Sequence, residues 1–163
     1  MKIRINPFDK ASIDQAIKQL KEYERDFEIK EKEFFRRLAE IGVTTARGIY
    51  SIADYDGVND VTVALVEKSN GYDVVAAGQS VGFIEFGTGV NNPEWDNTGM
   101  DYTPPKHGTY GKKLGANPKG WYYTPNPGAK AVHTYGNPPA EAMRTAIDQI
   151  VENVIRVARE VWR

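Results

Sequence analysis

The stretch Val81-Gly-Phe-Ile-Glu-Phe-Gly-Thr-Gly89 (VGFIEFGTG) sets three glycines among Phe83, Ile84 and Phe86, with one carboxylate, Glu85, between the aromatic rings. Its spacing first suggests a phosphate cradle. A phosphate-binding loop is written G-x-x-x-x-G-K-[ST], and Gly82 and Gly87 fit that frame, but Thr88 stands where the lysine is required. The cradle also needs a helix directly after the glycines, so that its N-terminus faces the phosphates, whereas this chain runs into Asn91-Asn92-Pro93. With neither the charge nor the dipole supplied, the glycines read as a backbone turn, since they accept angles that bulky residues resist.

Working upstream, VTVALVEKS and YDVVAA flank Asn70-Gly71, a pair that accepts positive φ at both centres of a type I′ turn. The expectation is a hairpin with strands at about 60–68 and 72–78, onto which Phe83, Ile84 and Phe86 pack while Gly87-Thr88-Gly89 releases the chain. Further upstream, Asp9 or Ser12 can cap a helix whose apolar residues Ile13, Ile17, Leu20, Phe27, Phe34, Leu38 and Ile41 recur on one face. Glu24 and Glu31 interrupt that face, and the charged middle, KEYERDFEIKEKEFFRR, is either a solvated surface with Glu28–Lys32 and Glu33–Arg37 pairs or an arm against another subunit. Gly42 is expected to end this helix. A second one follows from about Thr44 to Ala53, with Ala46, Ile49, Tyr50 and Ala53 on one side.

Downstream, residues 91–130 are nearly one-third glycine and proline, without a core-forming apolar run. Trp95, Tyr102, Tyr110, Trp121, Tyr122 and Tyr123 distinguish this segment from a plain linker, and Lys106, Lys112, Lys113, Lys119 and Lys130 outnumber Glu94, Asp96 and Asp101. Such a loop can stack bases, but it more often anchors on a neighbouring protein. It reads as a projecting loop with Trp95, Tyr102 and Tyr110 as interface candidates, and GWYYTP returns as a strand. Asn137-Pro138-Pro139 then offers a cap and a first-turn proline for a last helix. Glu141 suits the positive end of its dipole, and Arg156, Arg159 and Arg163 the negative end. Met143, Ile147, Ile150, Val154, Val157 and Val161 form its stripe, widened by Ala146, Val151 and Ala158, over about 35 Å.

Composition bounds the rest. A chain of 163 residues, 40% hydrophobic, suits one core and one domain, 1–163: a helical region 9–53, hairpin and turn 60–90, loop 91–130, strand and helix 131–163. Without cysteine, and with only His107 and His133, it offers no thiolate nucleophile or histidine-rich metal site. No catalytic, cofactor or metal residue is assigned: a His107 or His133 base near Asp101, Glu94 or Tyr110 has no activated nucleophile beside it. Net charge −1 and pI about 6.1 disfavour a general grip on nucleic acid. MKIRINPFDK lacks the apolar core of a signal peptide, and no run spans a membrane, so a soluble protein made inside the cell is expected.

Taken in order, Phe83, Glu85, Phe86, Gly87, Thr88 and Gly89, then Gly120, Trp121 and Tyr122, then Thr134, Gly136, Pro138, Pro139, Met143 and Ala146 resemble the neck, or head-tail connector, proteins of tailed double-stranded DNA phages, also labelled tail components or minor capsid proteins. The likeness covers roughly residues 34–160, and Ala142 departs from it where many members have proline. It implies an α+β fold with a small antiparallel sheet, N-terminal helices and a C-terminal helix packed across the sheet. It also implies a sixfold-compatible homo-oligomeric ring in the virion neck or tail end, assembled in the host cytoplasm against neck, adaptor or tail proteins, with DNA passing unrecognised through its lumen and no membrane. A tail-terminator or tail-completion role is the alternative within that family, and a nucleic-acid or carbohydrate-binding module using the aromatic loop is the alternative outside it. On the family reading, Glu85 bonds the turn's amides or a basic residue, and Trp121, Tyr122, Gly136, Pro139 and Met143 belong to the core.

Overall fold

The structure, a computed structural model, describes residues 3–90, 110–125 and 127–163. It is α+β. In chain order come α1 (Lys10–Ser51), β1 (Thr62–Lys68), β2 (Gly71–Ala77), α2 (Val81–Glu85), β3 (Trp121–Tyr123), β4 (Val132–Thr134) and α3 (Ala142–Val161). The strands form two separate antiparallel pairs, β1–β2 and β3–β4, rather than one sheet.

Asp9 caps α1, its Oδ1 accepting from the Ala11 amide at 3.0 Å, while Ser12 Oγ accepts from the Asn6 amide outside the helix. The expected break at Gly42 does not occur, and α1 runs unbroken for 42 residues. Gly42 is a notch instead. A Cβ there would lie 2.7 Å from Ile150 Cδ1 and 3.0 Å from Val74 Cγ2, so the missing side chain is what lets α3 and β2 close on α1 at the same turn. The helix tolerates the glycine because packing on both flanks outweighs its weak propensity, about 1 kcal/mol below alanine. The Glu33–Arg37 ion pair forms at 2.5 Å, but among the described residues Glu28 and Lys32 form none.

The hairpin lies where expected, with Lys68 opposite Gly71. Its turn is therefore Ser69-Asn70, and it is not type I′: neither residue has positive φ, which falls on Gly71 (φ 152°), where no Cβ opposes it. The strand begins at Thr62 rather than 60: the Asp60 amide donates to Ser80 Oγ at 3.2 Å instead of to a ladder, and the Asp60 carboxylate accepts from the amides of Gln79 and Ser80 at 2.7 and 3.0 Å. Residues 81–85 are one turn of helix, not a strand end. Only Ile84 of the three apolar residues expected on the sheet is buried; Phe83 and Phe86 are exposed.

Ile84 joins Val43, Ala46, Tyr50, Val63, Ala142 and Ala146 in the core. α3 runs antiparallel to α1, as shown by Ile150 at Gly42, an Arg37–Glu160 ion pair of 3.4 Å and Trp162 against Phe34. It lies along α1, not across the sheet, because α1 takes the hairpin and α3 together. Its expected stripe splits. Ala146 and Val157 are buried, and Met143, Ile150, Val154, Ala158 and Val161 half-buried, whereas Ile147 and Val151 are exposed. The helix begins at Ala142, so Asn137, Pro138 and Pro139 precede it and Glu141 is the N-cap residue.

Two glycines of α1 separate packing from propensity. Gly42→Val should destabilise by about 1–3 kcal/mol through overpacking. Gly48→Ala, with nothing within 4 Å of the added Cβ, should stabilise by about 0.5–1 kcal/mol. Urea unfolding of the two variants measures both.

Candidate functional site

Glu85 ends α2 and is 7% exposed. Its Oε2 accepts the Tyr50 hydroxyl at 2.8 Å and the Ala142 amide at 2.9 Å, and its Oε1 accepts the Met143 amide at 3.1 Å. The carboxylate thus caps α3 from a distant part of the chain. The helix's own cap residue, Glu141, is left-handed (φ 49°) and makes no side-chain cap bond, so Glu85 supplies both the acceptors and the negative charge favoured at a helix N-terminus. This replaces both expected roles for Glu85, turn amides and a basic partner. Burial, and then the bond to Glu85, raise the Tyr50 hydroxyl pKa above its ordinary value. Tyr50 was readable from sequence only as part of an apolar face, although a buried tyrosine hydroxyl requires a partner of this kind.

Next to this node, the chain after α2 lies against the chain before α3. Thr88 and Asn137 exchange backbone hydrogen bonds at 3.0 and 3.1 Å, their side chains meet, and Asn137 Nδ2 donates to the Phe83 carbonyl at 3.1 Å. Asn137 is consumed in this bridge and cannot cap α3. The two backbones touch at Gly136, where a Cβ would fall 1.9 Å from the Thr88 oxygen and φ is 91°. The Ala140 and Glu141 amides complete the contact by donating to the carbonyls of Ile84 and Glu85. The Trp121 ring lies against Gly89. The three separated pieces of sequence that carry the family resemblance are therefore adjacent in space.

Trp121 is half-buried rather than core, and Tyr122 is 72% exposed because it points away from the strand pair's packed side. Gly136, Pro139 and Met143 are half-buried around the node. Trp121, Tyr55, Phe83 and Tyr123 line a cleft of about 260 Å³, where the Tyr123 hydroxyl donates to the Asp56 carbonyl at 2.7 Å. This is below the roughly 300 Å³ at which small-molecule sites begin.

Residues 110–120 do not project: Gly111 donates to the Tyr135 carbonyl at 3.3 Å, Ala116 to that of Gly89 at 3.0 Å, and Gly115 is buried. Tyr110, 38% exposed, opens this docked segment. Trp95, Tyr102, Glu94, Asp101 and His107 lie outside the described residues. His133 packs edge-on against Tyr122 and Tyr135, with Nε2 3.1 Å from the Lys119 carbonyl, so its ring contacts aromatic faces and a backbone oxygen. Among the described residues no helix is long and apolar enough to cross a membrane.

The remaining feature is an arm. α3 ends where Trp162 meets Phe27 and Phe34, at 6.2 and 5.2 Å between ring centroids. The part of α1 before Phe27 extends about 25 Å beyond that point. Its stripe, Ile13, Ile17 and Leu20, stays open to solvent.

Glu85→Ala strands three donors and should cost about 3 kcal/mol or more, whereas Tyr50→Phe leaves the helix cap intact and should cost about 1–2 kcal/mol, both read by chemical denaturation. Asp60 gives a pH signature. Hydrogen bonds from the Ser80 side chain and from the Ser80 and Gln79 amides lower its pKa to about 2. A folded value below the unfolded one, about 3.9, gives stability that is present above about pH 4 and lost as pH falls through 2. Asp60→Asn should flatten that part of an acid-denaturation profile. Comparison of the chain with protein-family models, with curated proteins and with solved structures finds no match.

Proposed function

We propose that this chain is a structural subunit of a phage or prophage neck or tail-end ring that joins head to tail around the DNA channel. The observation that carries the reading is the α1 arm, a helical segment about 25 Å long whose apolar stripe its own subunit leaves open. An exposed apolar stripe of this kind on a projecting element is a surface for another protein. Its support is threefold. The family-like residues converge on the Glu85 node and the Thr88–Asn137 bridge, the aromatic cleft at Trp121 is small, about 260 Å³, and a net charge of −1 suits a lumen that DNA crosses without being held. Subunits that join head to tail close into a ring when the rotation between them closes.

A phage lacking the gene should accumulate DNA-filled heads and separate tails, counted by electron microscopy of lysates. Normal infectious particles would refute the role. Empty heads would place the protein at packaging instead, and full particles with tails of irregular length would favour the tail-terminator version of the reading.

A further inference from the structure

Two apolar helical stripes are open in this subunit, and a single copy cannot bring them together. One is Ile13, Ile17 and Leu20 on the arm, 37, 46 and 51% exposed. The other is Ile147, Val151 and Ile155 on α3, 59, 65 and 62% exposed, on a flank of the helix adjoining the side that packs on α1. Each stripe is about 10–12 Å long. The arm belongs to the same unbroken helix that holds α3, and it leads away past Trp162, so it cannot fold back onto its own α3.

The polar margins match as well. On the arm, the residues following the three apolar ones are Asp14, Lys18 and Lys21; on α3 they are Asp148, Glu152 and Arg156. When two helices pack antiparallel, corresponding margins lie on the same side of the seam. Placing Ile13 against Ile155, Ile17 against Val151 and Leu20 against Ile147 sets Asp14 opposite Arg156, Lys18 opposite Glu152 and Lys21 opposite Asp148. Every pair is of opposite charge. A parallel arrangement puts corresponding margins on opposite sides and loses these pairs. Arg156 already bonds Glu160 at 2.9 Å and Glu152 accepts from Gln149 at 2.8 Å, both on exposed side chains that are free to turn toward a neighbour.

We propose that the arm of one subunit packs antiparallel along the Ile147–Val151–Ile155 stripe of a second copy of this chain, with the three charge pairs setting its direction and register. This deepens the ring reading by supplying its contact: each subunit offers an arm on one side and an α3 stripe on the other.

Cysteine cross-linking tests it, because the chain has no cysteine of its own. Full-length Ile17→Cys and Val151→Cys proteins, purified separately, are mixed and treated with a short bis-maleimide. The mixture should give a cross-linked pair that neither variant gives alone, and both should melt like the parent because the sites are exposed. Lys18→Glu should weaken self-association by about tenfold or more, and Lys18→Glu combined with Glu152→Lys should restore it. Cross-linking of either variant with itself, no mixed product, or no rescue by the double reversal would overturn the docking. Closed rings in micrographs without the mixed product would sink the docking and leave the ring reading standing. A mixed product confined to closed dimers would sustain the docking and sink the ring.

Discussion

Three donors converge on the two oxygens of Glu85, from residues 35 and more than 50 positions away in the chain, and through them the ends of α1, α2 and α3 are held at one point. A buried carboxylate without partners would be among the most destabilising groups a small domain could contain. Here its charge meets the positive end of a helix dipole and a hydroxyl, and among the described residues no cation pairs with it. The dependence is mutual: without the carboxylate the first amides of α3 are left unpaired at the core, and without α3 the charge is stranded. The small core, whose largest fully buried side chains are Tyr50, Ile84 and Val157, is assembled around this point.

Long α1 has the opposite character. Its last turns are packed on two sides, at the notch of Gly42, while the Ile13, Ile17 and Leu20 stripe of its first turns is open, with only the small Ala16 buried there. The helix is therefore a beam anchored at one end. Helices of this length are kept by packing more than by propensity. The free part has a capping aspartate, while the ion pairs of α1 lie further on, at Glu33, Arg36, Arg37 and Glu40.

Parts of this architecture were legible in the sequence because their signals are local. The alternation of VTVALVEK and GYDVVAA located the hairpin, and the three-four spacing of apolar residues located both long helices. The errors are local as well. Gly42 reads as a stop because its compensating contacts, Ile150 and Val74, are distant in sequence. Residues 81–85 are too few to show a helical period. Asn137 looks like a cap until Thr88 claims it. Of the candidate site, Glu85 stood out by its residue type and neighbours, but its task did not, since Tyr50 and Ala142 enter only through the tertiary fold. The arm's open stripe was visible as an apolar face; that its own chain would leave it uncovered could be seen only once the end of α3 was located.

The distant cap has a consequence for the order of synthesis. A ribosome delivers α1, both strands of the hairpin and Glu85 well before residue 142, so the nascent domain carries a carboxylate whose helix does not yet exist. The fold can close only when the last helix arrives, and the same helix carries the stripe proposed to receive a neighbour's arm. A truncated product would therefore keep a buried carboxylate while lacking both the helix that it caps and the docking surface, and completion of the polypeptide would act as a checkpoint before a subunit could join others.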